Sequence, residues 1–127
     1  MNSAALTAAV AAVRDFPGRA GLYWQNLATG EEAEVRGGEA FEAASVIKLP
    51  VLVELFRQLE AGEARREETF SVREEEKLPS CGALNYLHTG VTVSLMDLGA
   101  LMVILSDNTA TNLLIRRLGM EKIQNTI

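Results

Sequence analysis

Two short groups of polar residues in this chain could carry chemistry, and each lies beside an apolar helix. Ser45 and Lys48 form a Ser-x-x-Lys pattern at the start of an apolar segment. Residues three apart share one face of a helix, so the Ser45 hydroxyl and the Lys48 ammonium can meet. The free N–H groups of a helix N-terminus can stabilise an oxyanion, and a lysine desolvated among aliphatic side chains accepts a proton readily. The pattern therefore indicates a serine nucleophile, Ser45, with Lys48 as its activating partner.

The second group, Ser106-Asp107-Asn108, strengthens the first. A Ser-x-x-Lys pattern alone occurs by chance in roughly half of chains of this length, and its bland alternative is a serine N-cap with a lysine snorkelling from a core helix. A tripeptide such as 106–108 is expected in only about one chain in fifty. By itself it also fits an ordinary turn between two helices. The two groups together, each at the end of an apolar helix, favour a catalytic site.

The elements that must position these groups are predicted from the spacing of apolar residues. Ser94 and Asp97 have the form of a capping box, which starts a helix, and Gly119 is a good helix stop. In chain order, the pattern predicts a helix through residues 6–13, a hairpin of strands 21–27 and 31–36, a helix over 44–61, loops with at most a short strand near 69–72, a helix from 95 to about 105, a helix over 110–118 and an amphipathic segment from 120.

The helix over 44–61 is predicted to be buried, because its apolar residues cover nearly all of its sides. Pro50 lies early in this helix and removes one backbone donor. We therefore expect a distorted first turn or a kink near Val46 rather than a break in the helix.

Composition excludes several classes of function. The 127 residues carry a formal net charge of -5, whereas binding to nucleic acid needs a basic face. Cys81 is the single cysteine, so no internal disulfide forms, and we expect it to be a loop thiol or a core contact. With His88 as the single histidine and no cysteine cluster, a zinc site is not expected. No apolar run reaches the length of a membrane span.

The chain resembles the class A β-lactamases and the related penicillin-binding proteins, a family whose sequence elements are S-x-x-K, S-D-N and K-T-G. Residues 41–50 (FEAASVIKLP) look like the family's nucleophile segment, and 106–114 (SDNTATNLL) look like its second element. Ser45 and Ser106 are 61 residues apart, as in the family. The predicted hairpin fits the family's first two strands, so the resemblance covers nearly the whole chain.

The resemblance implies a role for each motif residue. Ser45 would attack the lactam carbonyl, and Lys48 would accept the Ser45 proton directly or through water. Ser106 would pass a proton to the leaving nitrogen. Asn108 would hydrogen-bond the substrate and help to orient Lys48, whereas Asp107 would mainly hold the turn. Neither a metal nor a cofactor is implied.

The resemblance also implies an α+β fold, in which helices pack on an antiparallel sheet and this chain supplies about two strands and the helical part. Residues 1–127 would be the N-terminal portion of a single domain, because the K-T-G element, the Ω loop with its deacylating Glu and the C-terminal strands are absent. Glu121 has no context that would make it that Glu. A lone hairpin is marginal in water, so we expect no stable active monomer from this portion alone.

The expected partners are a β-lactam or a peptidoglycan-like substrate, together with the missing C-terminal half or another copy of the chain. A DD-peptidase, a penicillin-binding sensor without turnover and an inactive fragment remain open alternatives. A Ser-Lys glutaminase-type enzyme shares S-x-x-K, but residues 106–108 favour the penicillin-recognising group. The compartment stays open: no export signal is visible, and the family suggests a periplasmic or secreted protein if a signal was removed.

Overall fold

A computed structural model describes residues 3–79 and 81–126 of the chain. Its contacts divide the chain into two compact units, Met1–Glu42 and Ala43–Ile127. Both candidate groups of polar residues belong to the second unit. In the part of the chain that the structure describes, no helix combines the length and the apolar character that crossing a bilayer requires.

The first unit consists of a helix and a hairpin, as predicted. Helix α1 (Ser3–Arg14) is followed by strands β1 (Leu22–Gln25) and β2 (Glu32–Val35). The strands pair antiparallel, with Leu22 opposite Val35 and Gln25 opposite Glu32. Helix α1 packs against β2, which gives the hairpin a covering element.

The second unit is mainly helical and contains one further small antiparallel sheet. A 3-10 turn, Ala44–Ile47, leads into the longest helix. The remaining elements, in chain order, are α2 (Lys48–Glu60), β3 (Thr69–Ser71), 3-10 turns at Glu74–Glu76 and Leu84–Tyr86, β4 (Thr92–Ser94), α3 (Leu95–Ile104), α4 (Asn108–Leu118) and α5 (Met120–Gln124).

Three helices, α2, α3 and α4, build the core of the second unit, and α5 packs on α2 and α4. Complete burial of each large aliphatic side chain contributes about 1.5 to 3 kcal/mol. The buried apolar residues are Val51, Leu55, Ala64, Val72, Leu84, Leu95, Leu98, Met102, Ala110, Leu113, Leu114, Leu118 and Ile123. Every helix next to a candidate residue therefore belongs to one packed core.

The first turn before α2 is distorted, as the proline predicted. Pro50 has no N–H and cannot donate to the carbonyl four residues earlier, and the chain before α2 adopts 3-10 geometry over Ala44–Ile47. Other boundaries also match the prediction. Ser94 and Asp97 form the reciprocal hydrogen bonds of a capping box at the start of α3, and Gly119 follows α4 with a φ of 92°.

Two predictions are wrong. The helix over 44–61 is not buried on all sides: Leu49 is 60% exposed and Val53 is 55% exposed, whereas Val51 and Leu55 are completely buried. The apolar content of a helix does not reveal which of its faces has a packing partner. The loop region also contains an unexpected strand, β4, which pairs with β3 through Phe70 opposite Val93. Three residues are too few for a clear alternation of apolar and polar positions.

A buried polar network ties the far end of α2 to the other helices. Glu54 is completely buried and accepts hydrogen bonds from Arg57, Gln58 and Thr126. These hydrogen bonds, that of Arg57 foremost, lower the pKa of Glu54 to about 2. Gln58 also donates to the Leu118 carbonyl at the end of α4. A buried carboxylate is tolerated here because its charge is paired and hydrogen-bonded.

Candidate active site

Ser45 lies exposed in the 3-10 turn, at a point where the backbone is strained. Ala44, directly before it, has a φ of 44°, and Ser106 has a φ of 54°. Both values fall in the left-handed region, which residues other than glycine rarely adopt. In the described part of the chain only one other non-glycine residue, Arg36, has a positive φ. Such strain concentrates at functional sites, where the surrounding structure holds it in place.

Lys48 is the centre of the site. It is 7% exposed, and its Nζ donates to the Ser106 carbonyl oxygen at 2.7 Å, to the Ser106 Oγ at 2.6 Å and to the Asn108 Oδ1 at 2.9 Å. The same Nζ lies 3.5 Å from the Ser45 Oγ. Among the described residues, no carboxylate lies within salt-bridge distance of this ammonium. The hydrogen-bond partners of the Lys48 Nζ within the described part of the chain are therefore neutral oxygen atoms.

The two serine hydroxyls also meet. The Oγ atoms of Ser45 and Ser106 are 3.0 Å apart, so one hydroxyl can donate to the other. Lys48 contacts both oxygens, which closes a triangle of Ser45, Ser106 and Lys48. A proton can therefore pass between any two of these groups without a large movement.

Asp107 holds the turn that carries Ser106 and Asn108. It is 1% exposed, and its Oδ1 accepts from the Ala110 N–H at 3.0 Å, which caps α4. Its Oδ2 accepts from the Leu84 N–H at 2.9 Å. Both carboxylate oxygens thus accept hydrogen bonds from backbone N–H groups. The buried Asp107 therefore matches the structural role expected for it.

The loop before α3 approaches this turn closely at Gly82. The φ of Gly82 is +128°, and a Cβ on it would lie 2.3 Å from the Asp107 carboxylate. No side chain fits at this distance, and the backbone conformation also favours glycine. Gly82 therefore lets the loop and the turn pack against each other.

A cleft of about 430 Å³ is lined by three of the candidate residues, Ser45, Lys48 and Asn108. Other lining residues come from α4, where Asn108, Thr111, Asn112 and Ile115 follow helical spacing. Helical spacing from Asn108 could therefore have predicted Thr111, Asn112 and Ile115 as lining residues, although the sequence analysis did not nominate them. A fourth, Leu78, comes from a loop, for which the sequence offered no signal.

The structure therefore brings together all four residues that the sequence nominated, Ser45, Lys48, Ser106 and Asn108. Three other residues, Cys81, Tyr86 and His88, do not line the cleft. All three are exposed. Their exposure agrees with their assignment as loop residues.

The chain matches a family model described as the beta-lactamase enzyme family over residues 3–127. It is also similar to several solved structures. The β-lactamase from Sphaerobacter thermophilus shares 34% identity with a TM-score of 0.84, over 98% of this chain and 47% of that chain. PBP-A shares 34% identity with a TM-score of 0.84, over 98% and 48% of the respective chains. No curated protein matches the chain.

Two further solved structures extend the likeness. A variant of PBP-A, solved as an acyl-enzyme complex with penicillin G, shares 35% identity over 97% of this chain and 48% of that chain. An ancestral class A β-lactamase shares 25% identity with a TM-score of 0.81, over 94% and 46% of the chains. The chain thus spans about half the length of the solved chains that it matches.

A match over residues 3–127 covers almost the whole sequence. The chain belongs to the beta-lactamase enzyme family. Its fold is the α+β fold of that family, represented here by the helical part and two small antiparallel sheets.

Proposed function

We propose that this chain is the N-terminal part of a serine hydrolase of the β-lactamase type, which β-lactams acylate at Ser45. The contacts of Lys48 with Ser45, Ser106 and Asn108, at a cleft lined by Ser45, Lys48 and Asn108, are the observation that carries this proposal. Membership of the beta-lactamase enzyme family supports hydrolysis of an amide bond as the reaction.

Each step of the proposed acylation uses an atom of this site. With Lys48 in its neutral amine form, the Nζ takes the proton from the Ser45 hydroxyl, directly or through water, while the Oγ forms a bond to the lactam carbonyl carbon. The Ser45 N–H stabilises the oxyanion that develops. The C–N bond of the lactam then breaks, and the Ser106 hydroxyl gives its proton to the leaving nitrogen. Lys48 can return a proton to Ser106, because its Nζ lies 2.6 Å from the Ser106 Oγ.

Asn108 is the proposed binding residue for the substrate. Its Oδ1 accepts from Lys48, which fixes the orientation of the side-chain amide and leaves the Nδ2 group as a donor. An acyl side chain with a carbonyl group offers the matching acceptor. Among the described residues, no cluster of side chains could hold a metal ion, and the proposed chemistry uses none.

We also propose that residues 1–127 form the N-terminal portion of one domain, whose remaining half covers an exposed face of α2. This face carries Leu49, Val53 and Phe56, which are 60%, 55% and 41% exposed. Together with Val46, which is 64% exposed in the 3-10 turn before α2, these residues form the outer stripe. Exposed apolar side chains at helical spacing share one side of the helix, and such a group marks an interaction surface. The chain spans about half the length of its solved relatives, so the other half of such a domain is the occupant that we favour. Pairing with a second copy of the chain is the alternative outcome.

Acylation without rapid turnover is a second candidate function. PBP-A is as similar to this chain as the β-lactamase from Sphaerobacter thermophilus, and its variant was solved with penicillin G bound as an acyl-enzyme. A DD-peptidase or a penicillin-binding sensor would share the acylation step and differ in the fate of the acyl group. An inactive fragment would not be acylated at all.

Intact mass spectrometry before and after incubation with a penicillin tests these proposals. We expect an adduct of the mass of the whole penicillin, because ring opening expels no atoms. The adduct is absent from Ser45→Ala and present in Ser71→Ala, which removes an exposed serine on β3. The untreated spectrum shows whether a second polypeptide accompanies the chain.

The time course separates the candidates. An adduct that forms and disappears while penicillin is consumed supports a β-lactamase, whereas a persistent stoichiometric adduct supports a penicillin-binding protein. Absence of an adduct when both halves of the domain are present would overturn the proposed acylation by β-lactams. Absence from this chain alone would support the requirement for the other half.

A further inference from the structure

Leu78 reaches the candidate cleft from a loop, and a buried threonine holds it there. The Leu78 N–H donates to the Thr109 Oγ1 at 3.0 Å, and the Thr109 hydroxyl donates to the Asn85 Oδ1 at 3.3 Å. The Asn85 side-chain amide donates in turn to the Leu78 carbonyl oxygen. Thr109 is 1% exposed, so water does not compete for its hydroxyl. Both backbone polar groups of Leu78 are thereby fixed.

Thr109 directly follows Asn108 at the start of α4. This single helical turn therefore holds the Asn108 Oδ1 against Lys48 and the Thr109 Oγ1 against Leu78. Asp107 adds a second tie between the same turn and the same loop through the Leu84 N–H. The position of Leu78 relative to the polar residues of the site is thus determined by the turn itself.

The side chains around the cleft differ in polarity. Asn108, Thr111 and Asn112 present polar groups, whereas Leu78 and Ile115 are apolar. An apolar wall beside a fixed hydrogen-bonding group suits a ligand that carries an apolar substituent next to an amide. We propose that Leu78 is a specificity-determining residue, which contacts the apolar substituent of the acyl donor, and that Thr109 is its positioning residue. This inference rests on the proposed acylation of Ser45.

Two penicillins that differ in this substituent test the role of Leu78. Benzylpenicillin carries an apolar benzyl group, and 6-aminopenicillanic acid carries only an amine. We expect Leu78→Ala to lower the second-order rate constant of acylation by benzylpenicillin about tenfold and to change that of 6-aminopenicillanic acid less than about twofold. Leu87→Ala, in the same loop but outside the lining of the cleft, is the matched control and leaves both rates unchanged. Equal losses with both compounds, or no loss with either, would overturn the assignment.

Two substitutions of Thr109 test the positioning role. Thr109→Val keeps the shape and removes the hydroxyl, whereas Thr109→Ser keeps the hydroxyl. We expect amide hydrogen exchange at Leu78 to accelerate about tenfold or more in Thr109→Val, together with loss of the preference for benzylpenicillin, and both properties to be retained in Thr109→Ser. Unchanged hydrogen exchange of the Leu78 amide in Thr109→Val, or equal changes in the two variants, would contradict the positioning role of Thr109.

The two measurements also separate this inference from the proposed function. If neither penicillin acylates the unaltered protein with both halves of the domain present, the proposed function fails, and the assignment of Leu78 to its substrate fails with it. Loss of Leu78 amide protection in Thr109→Val alone would then still establish the positioning of this loop by Thr109, because hydrogen exchange needs no substrate.

Discussion

Opposite faces of α2 have different surroundings although both are apolar. The inner face carries Lys48, Val51 and Leu55, all buried, and it packs against α3 and α4. The outer stripe has large apolar side chains that are about half exposed. One helix therefore carries residues of the candidate site on its inner face and exposed apolar side chains on its outer stripe.

This difference shows that the hydrogen bonds of the candidate site do not depend on the outer stripe. Ser106, Asn108 and Asp107 come from the α3–α4 connection, and that connection packs on the inner face. The outer stripe makes no contribution to the hydrogen bonds of Lys48. We therefore expect substitutions on the inner face to damage the site or the fold, and substitutions on the outer stripe to affect association.

The largest expected effect is that of Lys48→Met on acylation. Methionine fills a similar volume but neither accepts the Ser45 proton nor holds Ser106 and Asn108. We expect the rate of acylation by benzylpenicillin to fall by about 10³-fold, because a weak hydroxyl nucleophile depends on an adjacent base. Stopped-flow measurement of the adduct, with circular dichroism to verify folding, checks this. A folded Lys48→Met protein that reacts at the original rate would rule out Lys48 as the activating group.

A matched pair of leucines measures the contrast directly. Leu55 is completely buried and Leu49 is 60% exposed on the same helix. We expect Leu55→Ala to lower the free energy of unfolding by about 3 kcal/mol, through lost burial and a residual cavity. Leu49→Ala should cost less than about 1 kcal/mol in the chain alone. Urea denaturation of both variants gives these values. Equal losses in the chain alone would mean that the outer stripe is covered in solution.

Local signals in the sequence predicted most of the elements that position the site. The capping box of Ser94 and Asp97 and the helix stop at Gly119 depend only on nearby residues, and both are confirmed. The distortion before α2 likewise follows from the missing N–H of Pro50. The burial of α2 was predicted wrongly, because it depends on which distant segments pack against each face.

The candidate site shows the same division between local and distant information. Ser45 and Lys48 are three residues apart on adjoining helical turns, so their proximity followed from helical spacing. The tie between Thr109 and Leu78 spans 31 residues and depends on the path of a loop. Side-chain hydrogen bonds to loop backbone have no periodic signature, and Leu78 was therefore not nominated from the sequence.

Acid should lower the stability of the second unit through two of its carboxylates, Glu54 and Glu68. Hydrogen bonds from Arg57 lower the pKa of Glu54 to about 2, and those from Arg117 lower the pKa of Glu68 to about 2. The unfolded chain, with ordinary carboxyl pKa values near 4.3, binds more protons between pH 5 and pH 2. The free energy of unfolding should therefore be greatest above about pH 5 and fall as the pH falls towards 2, by on the order of 2 to 3 kcal/mol for Glu54.

Urea denaturation at pH 7, 5, 3.5 and 2.5 measures this dependence. Glu54→Gln cannot ionise, so its stability should be lower at pH 7 and should change less between pH 5 and pH 2.5. Glu60→Gln, on the exposed side of the same helix, is the matched control and should follow the unaltered protein. A stability that stays constant down to pH 2.5 would contradict the hydrogen-bonded carboxylate of Glu54.

The smallest expected effect on stability concerns Val53→Thr in the outer stripe. Threonine has nearly the shape of valine, and Val53 is 55% exposed, so we expect the free energy of unfolding of the chain alone to change by less than about 0.5 kcal/mol. The added hydroxyl should nevertheless weaken association, because a partner that covers the stripe would bury it without a hydrogen-bond acceptor. Analytical ultracentrifugation, of the chain alone and with the proposed second half of the domain, separates the two effects. Weaker association at unchanged stability would support an interface on the outer stripe, and unchanged association would place the contact between the two halves elsewhere.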